Sequence, residues 1–472
     1  MEPPPTAPRS IAARPSSGKL PSSEPFAHNR GMDGRELANQ ICRSLRGAGY
    51  QAYLVGGCVR DILLKREPVD YDVSTDASPA QVLRLFPRSI GVGAQFGVMI
   101  VMEEDAQVEV ATFRSDIGYS DGRHPDRVEY SKSALEDVRR RDFTINALLL
   151  DPETDEAFDF VGGRDDLRAG IIRAIGPPQE RFREDKLRML RAVRFAARFR
   201  YAIEASTFTA IRRLATEINQ VSAERIRDEL TKMLTEGAAR RAFELLDETG
   251  LLNQVLPEIS AMKGVDQPPQ FHPEGDVWTH TLLMLGGLET GCSPTLAWGV
   301  LLHDVGKPPT FAPASGPGTR IRFDEHVEVG TRMAEAICKR LRFSNEDTEQ
   351  IAALVANHLR FKDVPQMKLS TLKRFVRLNR FGEHMELHRL DCLSSHRNLE
   401  NYEFMRRFLA ETPAEIVRPP KLLTGADLQE MGFKPGPLFK KILDSVEEAQ
   451  LEGRIHSREE ASALVLSTFD HP

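Results

Sequence analysis

The stretch that decides the fold is the hexapeptide GGCVRD, residues 56–61. It follows an apolar run over 53–55, which predicts a strand, and it leads into a helical pattern over 59–64. Paired glycines let a phosphate come close to backbone N–H groups, and the start of a helix favours negative charge. Arg60 lies where its guanidinium can bind a triphosphate through two parallel hydrogen bonds. A Gly-Gly pair by itself is more often only a tight turn, so the hexapeptide needs support from elsewhere.

That support comes from DYD, where Asp70 and Asp72 lie two residues apart in a predicted strand over 70–73. Residues at this spacing point to one face of a strand, so the two carboxylates converge. Neighbouring carboxylates repel each other unless a cation lies between them, and Mg²⁺ is the usual one. A third acid, Glu109, occurs in the apolar run 108–113, where burial without a partner costs free energy. Three carboxylates that hold two metal ions can activate a 3′-hydroxyl and stabilise a leaving pyrophosphate, although an isolated DxD is more often a solvated strand end.

Two later segments combine charge with apolar positions. The first, RRRDFTINAL over 139–148, places arginines immediately before a segment that looks buried. Such arginines can bind triphosphate or RNA backbone, although a solvated charge run is the more common explanation. The second, EDKLRMLRAVR over 184–194, predicts a helix with inward-facing leucines. A polar stripe winds around this helix at steps of three residues: Asp185, Arg188, Arg191 and Arg194.

The acid and the arginine at the start of this stripe have two possible roles. One turn apart on a helix, they can form a salt bridge and nothing more. They can equally present fixed acceptors and donors to the Watson–Crick edge of a base and so select C or A. Sequence periodicity permits both.

Histidines and acids recur through the helical second half of the chain. A lone histidine on an apolar helix is usually a satisfied core residue, but several such groups are harder to explain in that way. Clustered imidazoles and carboxylates suit a divalent transition metal that can activate water. The candidate ligands are His280, His303, Asp304, His326, His358 and Asp391.

Composition limits the class of protein. At 472 residues, with 41% hydrophobic and 28% charged residues, the chain fits about three soluble globular domains. No stretch approaches the roughly 18 consecutive apolar residues of a membrane span, so we expect no membrane association. The net charge of -6 argues against a basic coat over the whole surface, although a local basic stripe can still bind RNA. The five scattered cysteines favour a reducing cytoplasm.

Five of these motifs occur in a fixed order over residues 50–235 and resemble the class II tRNA nucleotidyltransferase and bacterial poly(A) polymerase family. They are GGxVRD over 56–61, DxD over 70–72, RRDFTIN over 140–146, EDxxR over 184–188 and ERI over 224–226. The resemblance implies that Asp70 and Asp72 bind Mg²⁺, and Glu109, in its apolar strand, is the candidate for a third catalytic acid. It further implies that the incoming nucleotide is held and selected by Gly57, Arg60, Arg141, Asp185, Arg188, Arg191 and Arg194.

The helical half, over about 270–395, resembles the HD phosphohydrolase domain, and HPE over 272–274 looks like the version fused to certain bacterial tRNA nucleotidyltransferases. The resemblance implies a core ligand set of His280, His303, Asp304 and Asp391, with His326 and His358 as extra ligands. The implied metal is Ni²⁺, Mn²⁺ or Mg²⁺. The implied reaction is cleavage of 2′,3′-cyclic phosphates or phosphate monoesters.

The implied fold class is α+β: a small polymerase-β-like head followed by an all-helical neck, body, HD domain and tail. We expect the units to be a disordered extension (1–31, with Met32 a second candidate start), the head (32–165), the neck and body (166–265), the HD domain (266–395) and the tail (396–472).

The activity that the resemblance implies is the addition of C and A to the 3′ end of tRNA, from CTP and ATP, in the cytoplasm. Bacterial poly(A) polymerases carry a basic pair where this chain has GAQF over 93–96, which lowers that alternative. The loop over 118–125 looks like the flexible loop of enzymes that add the terminal A, so full CCA addition is favoured over A addition alone. A hydrolase with a non-catalytic RNA-binding head is a further alternative, and the oligomeric state stays open.

Overall fold

The computed structural model describes residues 32–93, 97–117, 127–316 and 319–469. Three predictions concern stretches that fall largely or wholly outside these residues. They are the disordered extension over 1–31, the GAQF segment and the loop over 118–125.

The first third of the chain forms a mixed sheet, and its strands are β1 Ala52–Val55, β2 Asp72–Thr75, β3 Ser89–Gly93, β4 Val98–Glu103, β5 Ala106–Thr112, β6 Arg114–Ile117, β7 Arg127–Tyr130, β8 Leu149–Leu150 and β9 Ala157–Phe158. Seven of them lie in the order β3-β4-β5-β2-β1-β8-β9, and β6 pairs with β7. Because β1 and β2 are antiparallel, the end of β1 lies beside the start of β2. The parallel pairing of β2 with β5 sets Asp72 beside Glu109. The predicted strand over 70–73 begins two residues too early, since Asp70 lies in the bend before β2.

Twelve helices of the described residues belong to the head and to the region that follows it: α1 Gly34–Gly47, α2 Gly57–Leu63, α3 Pro79–Leu85, α4 Ala134–Arg139, α5 Gly163–Ala169, α6 Pro178–Glu184, α7 Leu187–Phe199, α8 Ala205–Leu214, α9 Ala223–Thr235, α10 Ala239–Glu248, α11 Leu251–Val255 and α12 Pro257–Ser260. The single helix predicted over 184–194 is wrong, because the chain is extended at Asp185 (φ -144°, ψ 106°). Asp185 therefore lies in the turn between α6 and α7. It is not part of the polar stripe predicted along one helix with Arg188, Arg191 and Arg194.

The remaining helices are α13 Val277–Gly286, α14 Pro294–Leu302, α15 His326–Arg340, α16 Asn345–Asn357, α17 Leu369–Phe375, α18 Phe381–Ser394, α19 Glu400–Glu411, α20 Ala414–Val417, α21 Gly425–Glu430, α22 Pro437–Leu451 and α23 Arg458–Thr468. The prediction of an all-helical neck, body, HD domain and tail, from residue 166 onward, is confirmed apart from short strands. Those strands are β10 Ile171–Ile172, paired with β11 Ala202–Ile203, and β12 Phe311–Ala312, paired with β13 Arg322–Phe323. Within the described ranges, no helix combines the length and apolar composition that a membrane crossing requires.

One apolar core runs from α1 through the helices up to α18, and the tail has a separate core that includes Leu428, Phe433 and Ile442. Polar contacts fasten the tail to α17. Lys373 donates from Nζ to the carbonyl of Leu451 over 2.7 Å, inside the protein, where an unpaired ammonium group would be costly. The part of the tail from residue 422 onward is therefore an apolar unit of its own that contacts α17 through α22, whereas α19 packs against the preceding helices through Met405.

Candidate active sites

The first site is a cleft of about 440 Å³ where the end of β1 meets the start of β2 and the turn before α7. Gly56 lies at the end of β1 with a φ of 78°, a left-handed conformation that favours glycine. A β-carbon at Gly56 would lie 3.4 Å from Nη1 of Arg141 and 3.7 Å from Oδ2 of Asp72. The small turn therefore lets a carboxylate and a guanidinium approach the same point of the backbone.

Three acids crowd one side of this cleft. Burial raises the pKa of Asp72 to about 6, with further upward contributions from the negative charges of Glu109 and Asp70, while Arg141 lowers it. Asp70 is exposed, and Glu109 lies on the exposed face of β5, so the expected burial of this acid is wrong. Mutual repulsion between acids with no cation among them is the electrostatic state that a bound divalent ion relieves. The donor set thus fits Mg²⁺, although in the described residues the groups of three ligand atoms that lie within 4.8 Å are all in the helical half.

The opposite side of the cleft is basic and is fixed by Asp137, a fully buried acid on α4. Its carboxylate accepts from Nη2 of Arg141 over 3.0 Å and from Nη2 of Arg140 over 2.6 Å. Burial raises the pKa of Asp137, but the charges of Arg141 and then Arg140 outweigh it and hold that pKa below its usual value. Nε of Arg141 is buried without a hydrogen-bond partner, so this donor is available to a ligand.

Arg60 lines the same cleft, and each of its three guanidinium nitrogens already donates one hydrogen bond. Its Nη1 donates to Oδ1 of Asn146 over 2.6 Å, and its Nε donates to Asp61 over 2.9 Å. The guanidinium also lies 4.6 Å from the ring centroid of Phe199. Arg60 is thus positioned as a buried support of the cleft wall.

The turn between α6 and α7 brings Asp185 and Arg188 to the cleft, yet they do not pair with each other. Asp185 accepts from Nη2 of Arg225 over 2.7 Å. Arg188 donates to Oε2 of Glu184 over 2.7 Å and to the carbonyl of Arg140 over 3.2 Å. Of the two roles that periodicity left open, an Asp185–Arg188 salt bridge is therefore wrong.

The last two arginines of the predicted stripe have different surroundings. Arg191 lines the cleft and donates from Nε and Nη2 to Oδ2 of Asp142, over 2.9 and 2.7 Å. Burial raises the pKa of Asp142, but Arg191 outweighs it and lowers the pKa to about 2. Arg194 is buried outside the cleft, where Nε donates to Glu229 over 2.7 Å and joins α7 to α9.

The second site is formed where the ends of α14 and α16 meet α13, α15 and α18. Three imidazoles have Nδ1 against a backbone carbonyl: His303 at Val300 (2.8 Å), His326 at Phe323 (2.8 Å) and His358 at Val355 (2.7 Å). His280 has Nδ1 against Oε1 of Glu274 over 2.7 Å. In the three rings that face a main-chain carbonyl, Nδ1 carries the proton and Nε2 presents a lone pair. His280 differs, because the neighbouring carboxylates favour its protonated form.

All four Nε2 atoms are buried without a hydrogen-bond partner. They converge on two carboxylates. Nε2 of His303 lies 3.0 Å from Oδ2 of Asp304, and Nε2 of His280 lies 3.3 Å from Oδ1 of Asp391. Nε2 of His358 and of His326 lie 3.8 and 4.0 Å from Oδ1 of Asp304.

These six side chains include two groups whose ligand atoms lie within 4.8 Å: His280 with His303 and Asp391, and Asp304 with His326 and His358. Burial lowers the pKa of His358 to about 4, which favours the neutral, ligating imidazole. Burial also lowers that of His280, but the carboxylates of Asp391 and Glu274 outweigh it and raise its pKa to about 9. Buried lone pairs beside buried carboxylates fit one or two divalent ions.

Sequence reasoning assigned no role to several residues that hold these sites together. Asp137 lies four residues before Arg141 in α4, a spacing at which a helical ion pair is expected. Glu274 precedes His280 in a segment already noted for its histidine. Asn146 and Arg225 belong to recognised motifs, but only tertiary contact shows that they orient Arg60 and Asp185.

Three protein families match consecutive parts of the chain. The poly(A) polymerase head domain matches residues 52–173, and the probable RNA- and SrmB-binding site of polymerase A matches 200–263. The HD domain matches 277–383. The three matches occur in the order that the motifs imply.

Relatives and solved structures agree with these matches. A CCA-adding enzyme of Lactobacillus helveticus is 40% identical over 253 residues, which cover 52% of this chain and 63% of that protein. One from Bacillus subtilis is 42% identical over 215 residues, which cover 46% and 54%. The chain thus spans less than two thirds of the length of these relatives.

The crystal structure of the Bacillus stearothermophilus CCA-adding enzyme in complex with CTP has a TM-score of 0.70 against this chain, at 27% identity. The superposition covers 91% of this chain and 96% of that one. The chain therefore carries, in this order, a poly(A) polymerase head domain, an RNA-binding segment and an HD domain, and it is similar to CCA-adding enzymes both in sequence and in structure.

Proposed function

We propose that the head cleft adds C and A, from CTP and ATP, to the 3′ end of tRNA. The observation that supports this proposal most directly is that one cleft is lined by the Asp72 carboxylate and Arg141 and, across the opening, by Asp185 and Arg188. Acids for a metal, cations for a triphosphate and a fixed acceptor–donor set for a base are the parts that nucleotidyl transfer needs. The names of the relatives, and the CTP complex of the similar structure, support this assignment.

Asp70 and Asp72 would hold Mg²⁺, with Glu109 completing the acidic side. When bound, these ions activate the 3′-hydroxyl of the RNA and stabilise charge on the departing pyrophosphate. The free Nε of Arg141 and the turn at Gly57 bind the triphosphate, and Arg60 supports that wall.

We assign the selection of the base to the turn before α7. Asp185 and Arg188 present an acceptor and donors to the Watson–Crick edge of C or A, as implied for the family motif. Arg191 and Asp142 stabilise the wall beside them, and Arg194 anchors α7 from behind. The helix thus acts as a protein template that requires no nucleic-acid template strand.

The test is incubation with tRNA transcripts that end at the discriminator base, at C or at CC, followed by sequencing of the products. We expect each transcript to be completed to CCA and then to stop. Incorporation that survives the combined Asp70→Ala and Asp72→Ala substitutions would show that the site is misplaced. Long A tails made from ATP on any RNA would identify a poly(A) polymerase instead.

We propose in addition that the histidine cluster is a metal-dependent phosphohydrolase. The observation that favours it is the set of four unpaired Nε2 atoms around Asp304 and Asp391. The imidazoles of this donor set suit Ni²⁺, and its two carboxylates suit Mn²⁺ or Mg²⁺. When bound, the ion activates water toward a 2′,3′-cyclic phosphate or a phosphate monoester, and Lys307 beside Asp304 adds positive charge.

Hydrolysis of a 3′-phosphate leaves the 3′-hydroxyl that the head extends, so the two sites could repair a damaged RNA end in succession. All five cysteines are free, which suits the reducing cytoplasm in which we place this activity. Release of phosphate from 3′-CMP by the full chain with Ni²⁺ or Mn²⁺, and its loss in His303→Ala, is the expected result. Retention of that activity in His303→Ala would exclude this site.

A further inference from the structure

A pocket of about 500 Å³ opens over the histidine cluster. His326 and Asp391 form part of its wall, so a molecule in the pocket contacts the groups that would hold the metal. Much of the remaining wall comes from residues 320–324, in and around β13, and from Leu359 and Lys362 in the segment after His358. This arrangement makes the pocket the entry to the hydrolase site.

Three cations in this pocket are not used by the metal centre: Arg320, Arg322 and Lys362. Arg322 lies 3.9 Å from Asp324, which also lines the pocket. Arg320 and Lys362 both line it and are exposed, and in the described part of the chain neither has a carboxylate within 4 Å. Lys307, by contrast, is buried and already paired, with Asp304 at 2.7 Å and with Oε1 of Gln267 at 2.6 Å. The pocket therefore offers positive charge beyond what a single phosphate at the metal requires.

The rim also carries an aromatic surface. Phe271 is 51% exposed although it is a large apolar side chain. Phe323 lies across the same pocket, with the ammonium group of Lys307 5.5 Å from its ring centroid. Exposed rings beside free cations are the combination that binds single-stranded nucleic acid, because bases stack on the rings and cations contact the backbone.

We propose that this pocket binds the end of an RNA chain, with the terminal phosphate at the histidine cluster and the next phosphodiester on Arg320 and Lys362. The inference rests on the proposed hydrolase function and specifies its substrate as an oligonucleotide in preference to a mononucleotide. In the reaction, a water oxygen bonds to phosphorus and the P–O3′ bond breaks. The 3′ oxygen leaves with a proton, and inorganic phosphate is released.

The test compares 3′-CMP with the dinucleotide CpC that carries a 3′-phosphate, using the full chain and Mn²⁺. The wild-type KM for the dinucleotide should be about 10-fold below that for 3′-CMP, because charged hydrogen bonds to a second phosphate are formed only by the longer substrate. The double variant Arg320→Gln with Lys362→Gln should raise the dinucleotide KM about 10-fold and leave kcat and the 3′-CMP KM unchanged.

A matched control is Arg332→Gln with Lys339→Gln, which neutralises two exposed cations on α15 that do not line the pocket. It should leave both KM values unchanged. Equal wild-type KM values for the two substrates, or an equal rise for both in the Arg320/Lys362 variant, would overturn the inference while the hydrolase function stands. Hydrolysis of neither substrate with Ni²⁺ or Mn²⁺ would overturn the hydrolase function itself.

Discussion

Arg225 donates a hydrogen bond from Nη2 to Oδ2 of Asp185 over 2.7 Å, from α9 to the turn between α6 and α7. The other oxygen of Asp185 accepts from the N–H of Leu187 over 3.1 Å. Both carboxylate oxygens are therefore oriented from the protein side. The acceptor that we assign to base selection is fixed before a nucleotide arrives, so no ordering cost falls on binding.

Replacing Arg225 by glutamine should weaken base selection more than catalysis. Loss of a charged hydrogen bond of roughly 1.5–3 kcal/mol frees the Asp185 carboxylate, so kcat/KM for CTP and ATP should fall about 10-fold or more. Misincorporation of UTP and GTP should rise, as measured by sequencing the extended tRNA. Arg168→Gln, which breaks an exposed pair with Asp165, is the matched control. Unchanged base selectivity in Arg225→Gln would contradict the assigned role of the pair.

Asp72→Asn should abolish nucleotide incorporation yet raise the thermal stability of the metal-free protein. Burial, together with repulsion from Glu109 and Asp70, makes the ionised carboxylate unfavourable without a cation and outweighs the attraction of Arg141, as its raised pKa indicates. The expected gain is on the order of 1–3 kcal/mol at neutral pH. Thermal unfolding in a chelator measures it, with Asp105→Asn on the exposed β4–β5 turn as the control. A variant that is both inactive and less stable would show that Asp72 has a structural role.

Asp304→Asn should remove the stabilisation that Mn²⁺ or Ni²⁺ gives to the helical half. An ion that binds only the folded state at 100 times its Kd adds about 2.7 kcal/mol of stability, so the wild-type unfolding temperature should rise with added metal. Metal content per chain, measured by mass spectrometry, should fall in the variant. Asp363→Asn, an exposed acid in the segment after His358, should behave as the wild type. An equal metal-induced shift in Asp304→Asn would place the ion elsewhere.

His384 should make the protein sensitive to mild acid. Its ring is 2% exposed and both nitrogens lack a hydrogen-bond partner. Burial, followed by the charge of Arg360, lowers its pKa from 6.5 to about 4. The unfolded chain therefore takes up a proton first as the pH falls. The stability linked to this group is complete above pH 6.5 and is lost between pH 6.5 and 4.

His384→Leu should flatten that pH dependence. The loss avoided near pH 4.5 is on the order of 2–3 kcal/mol, and urea unfolding midpoints at pH 7 and 4.5 measure it. His456→Leu replaces an exposed histidine and should leave the profile unchanged. The same acid sensitivity in both variants would mean that other groups carry the effect.

The features that sequence predicted well are those set by neighbouring residues. The turn that ends β1 at Gly56 and the order of the histidines along the chain follow from local spacing. The approach of Asp72 to Glu109 depends instead on the pairing of β2 with β5, and Asp70 lies outside β2, so the convergence of Asp70 and Asp72 stays a prediction. The break before α7 could not be read in this way, because the pattern over 184–194 is helical throughout. That break depends on contacts from Arg225 and Arg140, which are distant in the chain.

The shortest strands escaped prediction for a similar reason. Two-residue strands such as β8 and β9 have no period of their own and exist because β1 pairs with β8. The boundaries proposed at 165/166, 265/266 and 395/396 stay predictions. The apolar core is continuous across the first two of these boundaries, so the packing gives no reason to divide the chain there.

The anchoring of three imidazoles to main-chain carbonyls has a consequence for how the metal proposed for this site would be bound. The helices that carry these rings orient them inward, so the ligand set is complete as soon as those helices have packed. Loading can therefore follow folding, and an ion lost to a chelator can be replaced without any refolding. Which metal occupies the site would then depend on the metals available in the growth medium as well as on the ligands that the chain provides.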